Sequence, residues 1–356
     1  MSATFLDHLA QALQQELQTG VDEQVFSGAQ ASFCICGGAV HTVTAGHTAY
    51  PFLRTENRQP AFPIEPDTLF DIASLTKLFT ATIALRLVDN KKLTLQSHMW
   101  NGFSLEALLA HETGLPAWQP YFKRVPLNQR ATPGAYKQII KEVLDTPATP
   151  PMRDAAVYSD VGFIGLGHQL QQITGQSLPT LVKDVITIPL QMGHTAFGAK
   201  LPPSSANIAC TENCPWRGRI LKGEVHDDNA WTMGGVAGHA GLFSTSEDMV
   251  RLGMDWLDAL KGDGIISLHL AKQSVARRKS GRGLGFDMVT AGASSVGDFA
   301  GDATFGHLGF TGTSIWMDPK KDAVICLLTN RVHPTRDNIR IRRFRPSFHN
   351  IFFSVL

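Results

Sequence analysis

The apolar pattern of this chain changes period twice, and that change limits the folds open to it. Phe5, Leu6, Leu9, Leu13 and Leu17 recur at helical spacing and predict a helix over residues 3–18 that ends at Gly20. Ala29–Cys36 and Val40–Ala45 then read as two strands joined through Gly37-Gly38. From Leu105 to about Leu260 the chain breaks into helical pieces, among them 104–110, 135–144 and 161–174, the last ending at Gly175. Strand periods return in Gly283–Val289, Thr304–Gly309, Thr313–Met317 and Val324–Thr329, with Asp318–Asp322 as the turn between the last two. Pro346 is expected to open a short closing helix that buries Phe348, Ile351 and Phe352. Strands at both ends with helices between them imply an α+β fold. One antiparallel sheet flanked by the terminal helices would be built from 1–72 and 283–356, and a mainly helical lobe from 73–282. The junction of the two is the expected place for a ligand cleft.

Charge excludes some function classes. Lys and Arg number 32 against 31 Asp and Glu, so there is no basic excess to draw a nucleic acid or an anionic membrane. The five arginines between Arg336 and Arg345 read as a solvated face. No run is long and apolar enough for a membrane span, and the first twenty residues lack the cationic start and apolar centre of a secretion signal, which suggests a cytoplasmic protein. Five cysteines fit reduced thiols, with a Cys210–Cys214 bridge the one pairing worth considering. The oligomeric state is not legible.

Chemistry is best placed at Phe70-Asp-Ile-Ala-Ser74-Leu-Thr-Lys77, where the buried helix running to about Val88 begins. A serine and a lysine three residues apart share one helix face, so the amine reaches the hydroxyl. Such a lysine serves as a base when its pKa is lowered, by desolvation among Ile72, Leu75, Leu78 and Phe79 and by the helix N-terminus. Other motifs lead elsewhere or nowhere. His111-Glu112 lacks the second histidine of a zinc-peptidase helix, and Gly114 and Pro116 end that helix. The glycines of 234–241 lack the lysine of a phosphate loop. His226, Asp227 and Asp228 could in principle ligate a metal, but adjacent aspartates point apart, so neither a metal nor a cofactor is expected. Ser244–Glu247 reads as a capping box that starts a helix through Trp256.

Taken together, Ser74-Leu-Thr-Lys77, Tyr158-Ser-Asp160 and His307-Leu-Gly309 resemble the three ordered motifs of the serine β-lactamase and penicillin-binding protein superfamily. The likeness is to its class C β-lactamase, D-alanyl-D-alanine carboxypeptidase and family VIII esterase branch, and it runs from about residue 25 to 335, supported by Leu108–Pro116, Ala240–Thr245 and Gly306–Thr313. The resemblance implies a β-lactamase/transpeptidase-like fold and an acyl-enzyme on Ser74, with Lys77 and Tyr158 handling its proton. It further implies a cleft strand carrying His307 and Gly309 and an oxyanion hole at the amides of Ser74 and Phe310. Asp160 stands where the family often has asparagine, and Leu308 where it often has a hydroxyl residue. With His307 at best partly cationic, both departures weaken recognition of an anionic β-lactam. Small-molecule esters or amides are the expected substrates. A D-amino-acid peptidase or amidase, or a weak β-lactamase, is the alternative, and a non-catalytic ligand-binding protein on the same fold is the reading of another class.

Overall fold

Central strands buried at every position require a layer on each face of the sheet. The computed structural model describes residues 2–52, 59–149, 156–198, 207–278, 280–290, 292 and 294–356. Its main sheet contains β1 (Gly28–Ile35), β2 (His41–Gly46), β3 (Asp287–Met288), β4 (Phe305–Leu308), β5 (Ser314–Asp318) and β6 (Ala323–Thr329), in the spatial order β2-β1-β6-β5-β4-β3. Every neighbouring pair is antiparallel, and β1 meets β6 with Phe33 opposite Ile325 and Ala31 opposite Leu327. The two chain ends thus form the sheet centre, as the strand periods predict.

Both faces of that centre are covered, which is why β6 is apolar throughout rather than alternating. Ala323, Ile325 and Leu327 face α1 (Ala3–Asp22) and the C-terminal helix, sharing a cluster with Leu13, Leu17, Phe348 and Phe352. Val324, Cys326 and Leu328 face the opposite way and join Met249, Leu252 and Trp256, together with Leu78 and Phe79 of the helix Thr76–Asp89, here α2. Ser74 therefore sits on an element whose far side is anchored in the sheet core. A third cluster, with Leu108, Tyr121, Ile139, Val143, Val161 and Ile164, holds the helical pieces that include α3 (Asp160–Thr174). Among the described residues, no helix is long and apolar enough to cross a membrane.

Several local expectations are corrected. α1 runs through Gly20 to Asp22, because a Cβ at Gly20 would meet Phe26 and Phe344, so this glycine answers to close packing rather than to a helix stop. The strand expected over 283–289 shrinks to Asp287–Met288. The capping box slips by one residue: Ser244 ends a short strand, and Thr245 caps α4 (Ser246–Ala259) by accepting from the Asp248 amide. The final helix, α5 (Ile341–Phe353), begins before Pro346, which lies inside it. The arginine run is not uniformly a solvated face. Arg345 is buried and donates to the carbonyls of Gly309 and Thr313, and Arg336 pairs with Glu212. All five cysteines are free, including Cys210 and Cys214, which agrees with the reduced thiols expected from sequence.

Candidate active site

Phe70 and Asp71 form a two-residue strand against Phe243 and Ser244, after which the chain turns sharply into the 3-10 turn Ala73–Leu75 that leads into α2. Ala73 takes φ 47°, a left-handed conformation that costs a non-glycine residue about 1–3 kcal/mol and persists only where the surroundings impose it. Asp71 imposes it. Its buried carboxylate accepts the Ala73 amide at 2.8 Å and the His226 amide at 2.7 Å. The turn leaves Ser74 partly exposed to a cleft of about 740 Å³ that Tyr158, Asp160, His307 and Gly309 also line.

Lys77 lies one turn further on, with no exposed side-chain surface. Its Nζ is 3.0 Å from Ser74 Oγ, 2.6 Å from Asp160 Oδ1 and 3.2 Å from the His239 carbonyl. Sequence reasoning asks for a depressed lysine pKa here, and the structure gives the opposite. Desolvation does push it down, but the adjoining Asp160 carboxylate and the nearby Tyr158 outweigh it, and the net shift is upward. Lys77 therefore rests as an ammonium. Tyr158, whose ring centroid lies 4.8 Å from Lys77 Nζ, is also raised, by desolvation first, with the Lys77 cation and the Ser74 hydroxyl opposing.

Asp160 thus raises the pKa of both groups that could take the serine proton. An asparagine at that position keeps the hydrogen bond and removes the charge. Asp160→Asn is expected to move the acid limb of kcat/KM to lower pH by about one to three units, because the proton is lost more easily once the carboxylate is gone. An acid limb that stays in place would show that the carboxylate does not control the pair.

The segment bearing Tyr158 and Asp160 is held by two groups that the motif reading passes over. Ser159 caps α3, accepting from the Gly162 amide at 3.1 Å and donating to the Pro116 carbonyl at 2.8 Å. His111 Nδ1 accepts the Ser159 amide at 3.0 Å, and the ring packs 4.7 Å from Tyr158. Burial holds this imidazole well below its ordinary pKa, so it is a neutral acceptor. The residue noticed in sequence as half of a missing zinc motif is a support for the tyrosine.

On the other wall, β4 brings in His307. It is buried, and desolvation lowers its pKa to about 4. Its Nδ1 lies 2.8 Å from the Leu308 carbonyl, which can only accept, so Nδ1 carries the proton and Nε2 is an acceptor. A histidine expected from sequence to be at best partly cationic is thus neutral here. Gly309 follows, where a Cβ would lie 1.9 Å from Thr313 Oγ1 and 2.7 Å from the Ile72 carbonyl. Thr311 Oγ1 donates to the Asp71 carbonyl at 2.7 Å and Thr313 Oγ1 to the Ile72 carbonyl at 3.2 Å, tying this loop to the strand before Ser74. Arg331 donates to the Phe310 carbonyl through Nε at 2.8 Å and Nη2 at 2.6 Å. Together with Arg345 on the Gly309 carbonyl, it orients the loop. Neither arginine belongs to the three motifs; Arg345 closes the run read from sequence as a solvated face, and nothing local marks Arg331. Among the described residues, the amides of Ser74 and Phe310 have no acceptor.

The trio weighed as metal ligands is dispersed. His226 lies 3.2 Å from Glu212, Asp227 bonds His239 at 2.9 Å, and Asp228 pairs with Arg217 at 2.9 Å. Among the described residues, no group of three or more His, Cys, Asp or Glu is placed to hold a metal ion.

Comparison with known proteins agrees with this geometry. A protein of Salmonella gallinarum, provisionally named a D-alanyl-D-alanine carboxypeptidase, is 30% identical over 82% of this chain and 74% of its own. One of Escherichia coli K12 with the same provisional name is 30% identical over 75% of this chain and 70% of its own. Among solved structures, the hydrolase EstCE1, described as having promiscuous acyltransferase activity, superposes with a TM-score of 0.74 at 17% identity, covering 97% of this chain and 98% of that one. The D-amino acid amidase of Ochrobactrum anthropi SV3, complexed with D-phenylalanine, gives 0.72 at 18% identity, covering 98% and 100%. These two likenesses speak for the fold alone. The model of the family described as Beta-lactamase matches residues 13–347, and with the β-lactamase/transpeptidase-like fold it establishes that this chain is a serine hydrolase belonging to the beta-lactamase family.

Proposed function

We propose that this hydrolase works through an acyl-enzyme on Ser74 and acts on small esters or amides. The observation that carries the reading is the meeting of Ser74, Lys77, Tyr158 and Asp160 at one cleft, with Lys77 in hydrogen-bond contact with both Ser74 and Asp160. In the active form the Lys77–Tyr158 pair carries one proton fewer than at rest. The Asp160 carboxylate favours keeping the remaining proton on Lys77, so the Tyr158 phenolate takes the Ser74 proton as Oγ attacks the carbonyl. Negative charge gathers on the carbonyl oxygen, where the amides of Ser74 and Phe310 would donate, each contributing about 3 kcal/mol. Tyr158 then returns the proton to the leaving oxygen or nitrogen as the bond breaks. Water repeats the sequence on the acyl-enzyme, losing its proton to Tyr158, and the Ser74 oxygen leaves with a proton.

Substrate choice follows from the cleft walls. His307 offers an acceptor and Leu308 no donor, so neither binds a β-lactam carboxylate. Trp118, Phe310 and Ile339 are exposed at the cleft and suit an apolar substituent. A second reading, a carboxypeptidase acting on D-alanyl-D-alanine ends, has the named relatives behind it. Arg342 on α5 lines the cleft and could meet a terminal carboxylate.

A fluorophosphonate probe followed by peptide mass spectrometry is expected to place the adduct on Ser74, and p-nitrophenyl butyrate should give a burst of nitrophenol. An adduct on any other serine would overturn the assignment.

A further inference from the structure

Asp160 is unusual in being both part of the proton-handling cluster and part of the cleft wall. One carboxylate oxygen, Oδ1, is taken by Lys77 at 2.6 Å. The other has no partner among the described residues, and the side chain keeps 20% of its surface exposed while Asp160 lines the cleft. It lies two hydrogen bonds from Ser74 Oγ, with Lys77 Nζ between them.

Charge balance gives this oxygen a task. Of the other charged groups on the cleft wall, Arg282 is paired with Asp287, Asp227 with His239, Asp228 with Arg217, and Arg336 with Glu212. Arg331 and Arg345 donate to carbonyls of the 309–313 loop, and Arg342 on α5 is the further cation of the wall. At rest Lys77 balances Asp160. Once the Lys77–Tyr158 pair loses the proton it must lose to accept that of Ser74, the cluster of Lys77, Tyr158 and Asp160 carries one uncompensated negative charge beside the scissile carbonyl. A cation on the substrate's acyl part would offset it at the moment of attack. A neutral acylamino group finds no amide donor at this position and meets a carboxylate instead.

We propose that Asp160 is a specificity-determining residue that selects acyl donors with a free α-ammonium group, namely aminoacyl amides and esters, over their N-acylated counterparts. This rests on the acyl-enzyme reading above and names the substrate class of the same site. The α-nitrogen of an aminoacyl group is two bonds from the carbonyl carbon, so a substrate seated on Ser74 carries its ammonium within reach of Oδ2.

The test compares kcat/KM for alanine p-nitroanilide, in both enantiomers, with that for N-acetyl-alanine p-nitroanilide, using the full chain and Asp160→Asn, each at its own pH optimum. The wild type is expected to favour the free amine by at least about tenfold, and the variant to lose at least about tenfold of that ratio, since a bond to a charged group is at stake. The ratio cancels any common loss of catalytic power in the variant. Should Asp160→Asn not fold, alanine amide should inhibit wild-type p-nitrophenyl butyrate hydrolysis at lower concentration than N-acetyl-alanine amide. Butyrate turnover with no preference for the free amine, or a preference unchanged in Asp160→Asn, overturns this proposal and leaves the acyl-enzyme standing. Absence of butyrate turnover and of any probe adduct at Ser74 overturns both.

Discussion

Ser74→Ala is expected to lower kcat for p-nitrophenyl butyrate by about 10⁴- to 10⁶-fold, the range seen when a catalytic serine is removed from a hydrolase. The burst should vanish with it, because no acyl-enzyme can form. The fold should survive. Ser74 is partly exposed, and its loss leaves one N–H of Lys77 without its acceptor, a cost of about 1–3 kcal/mol. The discriminating measurement is therefore rapid-mixing kinetics on a variant whose melting temperature falls by only a few degrees. A residual burst in a well-folded Ser74→Ala protein would move the nucleophile elsewhere.

Lys77→Ala should lower kcat by about 10³- to 10⁴-fold, near the upper end of what one proton-handling group supplies. The lysine meets three acceptors at once, on Ser74, Asp160 and His239, and a guanidinium has a different shape and donor arrangement. Lys77→Arg should therefore recover little. Added propylamine, which can occupy the emptied channel as a free ammonium, should recover part of the rate in Lys77→Ala and none in Ser74→Ala. A Lys77→Ala enzyme retaining a tenth of wild-type kcat would show that Lys77 is a packing residue. Asp160 is partly open to water, so its lost partner should affect stability less than in a closed core.

These expectations depend on a protonation pattern that no motif states. The spacing Ser74-Leu-Thr-Lys77 puts an amine beside a hydroxyl, and from that alone a depressed lysine pKa is the natural inference. Eighty-odd residues later, Asp160 follows from an ordinary helix start, with nothing local to say what it touches. Folding brings its carboxylate to 2.6 Å from Lys77 Nζ and reverses the inferred shift. His307 shows the same dependence: sequence places it on a cleft strand without fixing its charge, and the folded chain buries it and lowers its pKa to about 4.

The fold itself was more legible. β1, β2, β5 and β6 and most helices stand where the apolar periods put them, because a strand covered on both faces runs apolar along its length and a helix covered on one face repeats every three to four residues. The errors fall where tertiary contact overrides local preference. Gly20 stays helical against Phe26 and Phe344, and Arg345 leaves the solvent to hold two carbonyls of the 309–313 loop.

What the sequence by itself determined was the order of elements and the three motif positions, since these depend on side-chain period and residue type along a local stretch. What only the tertiary structure decided was which charges meet. Lys77 as an ammonium, His307 and His111 as neutral acceptors and Arg331 and Arg345 as the support of the cleft loop all arise from contacts between distant segments in a poorly solvated interior, where a partner a few ångströms away outweighs a group's intrinsic preference.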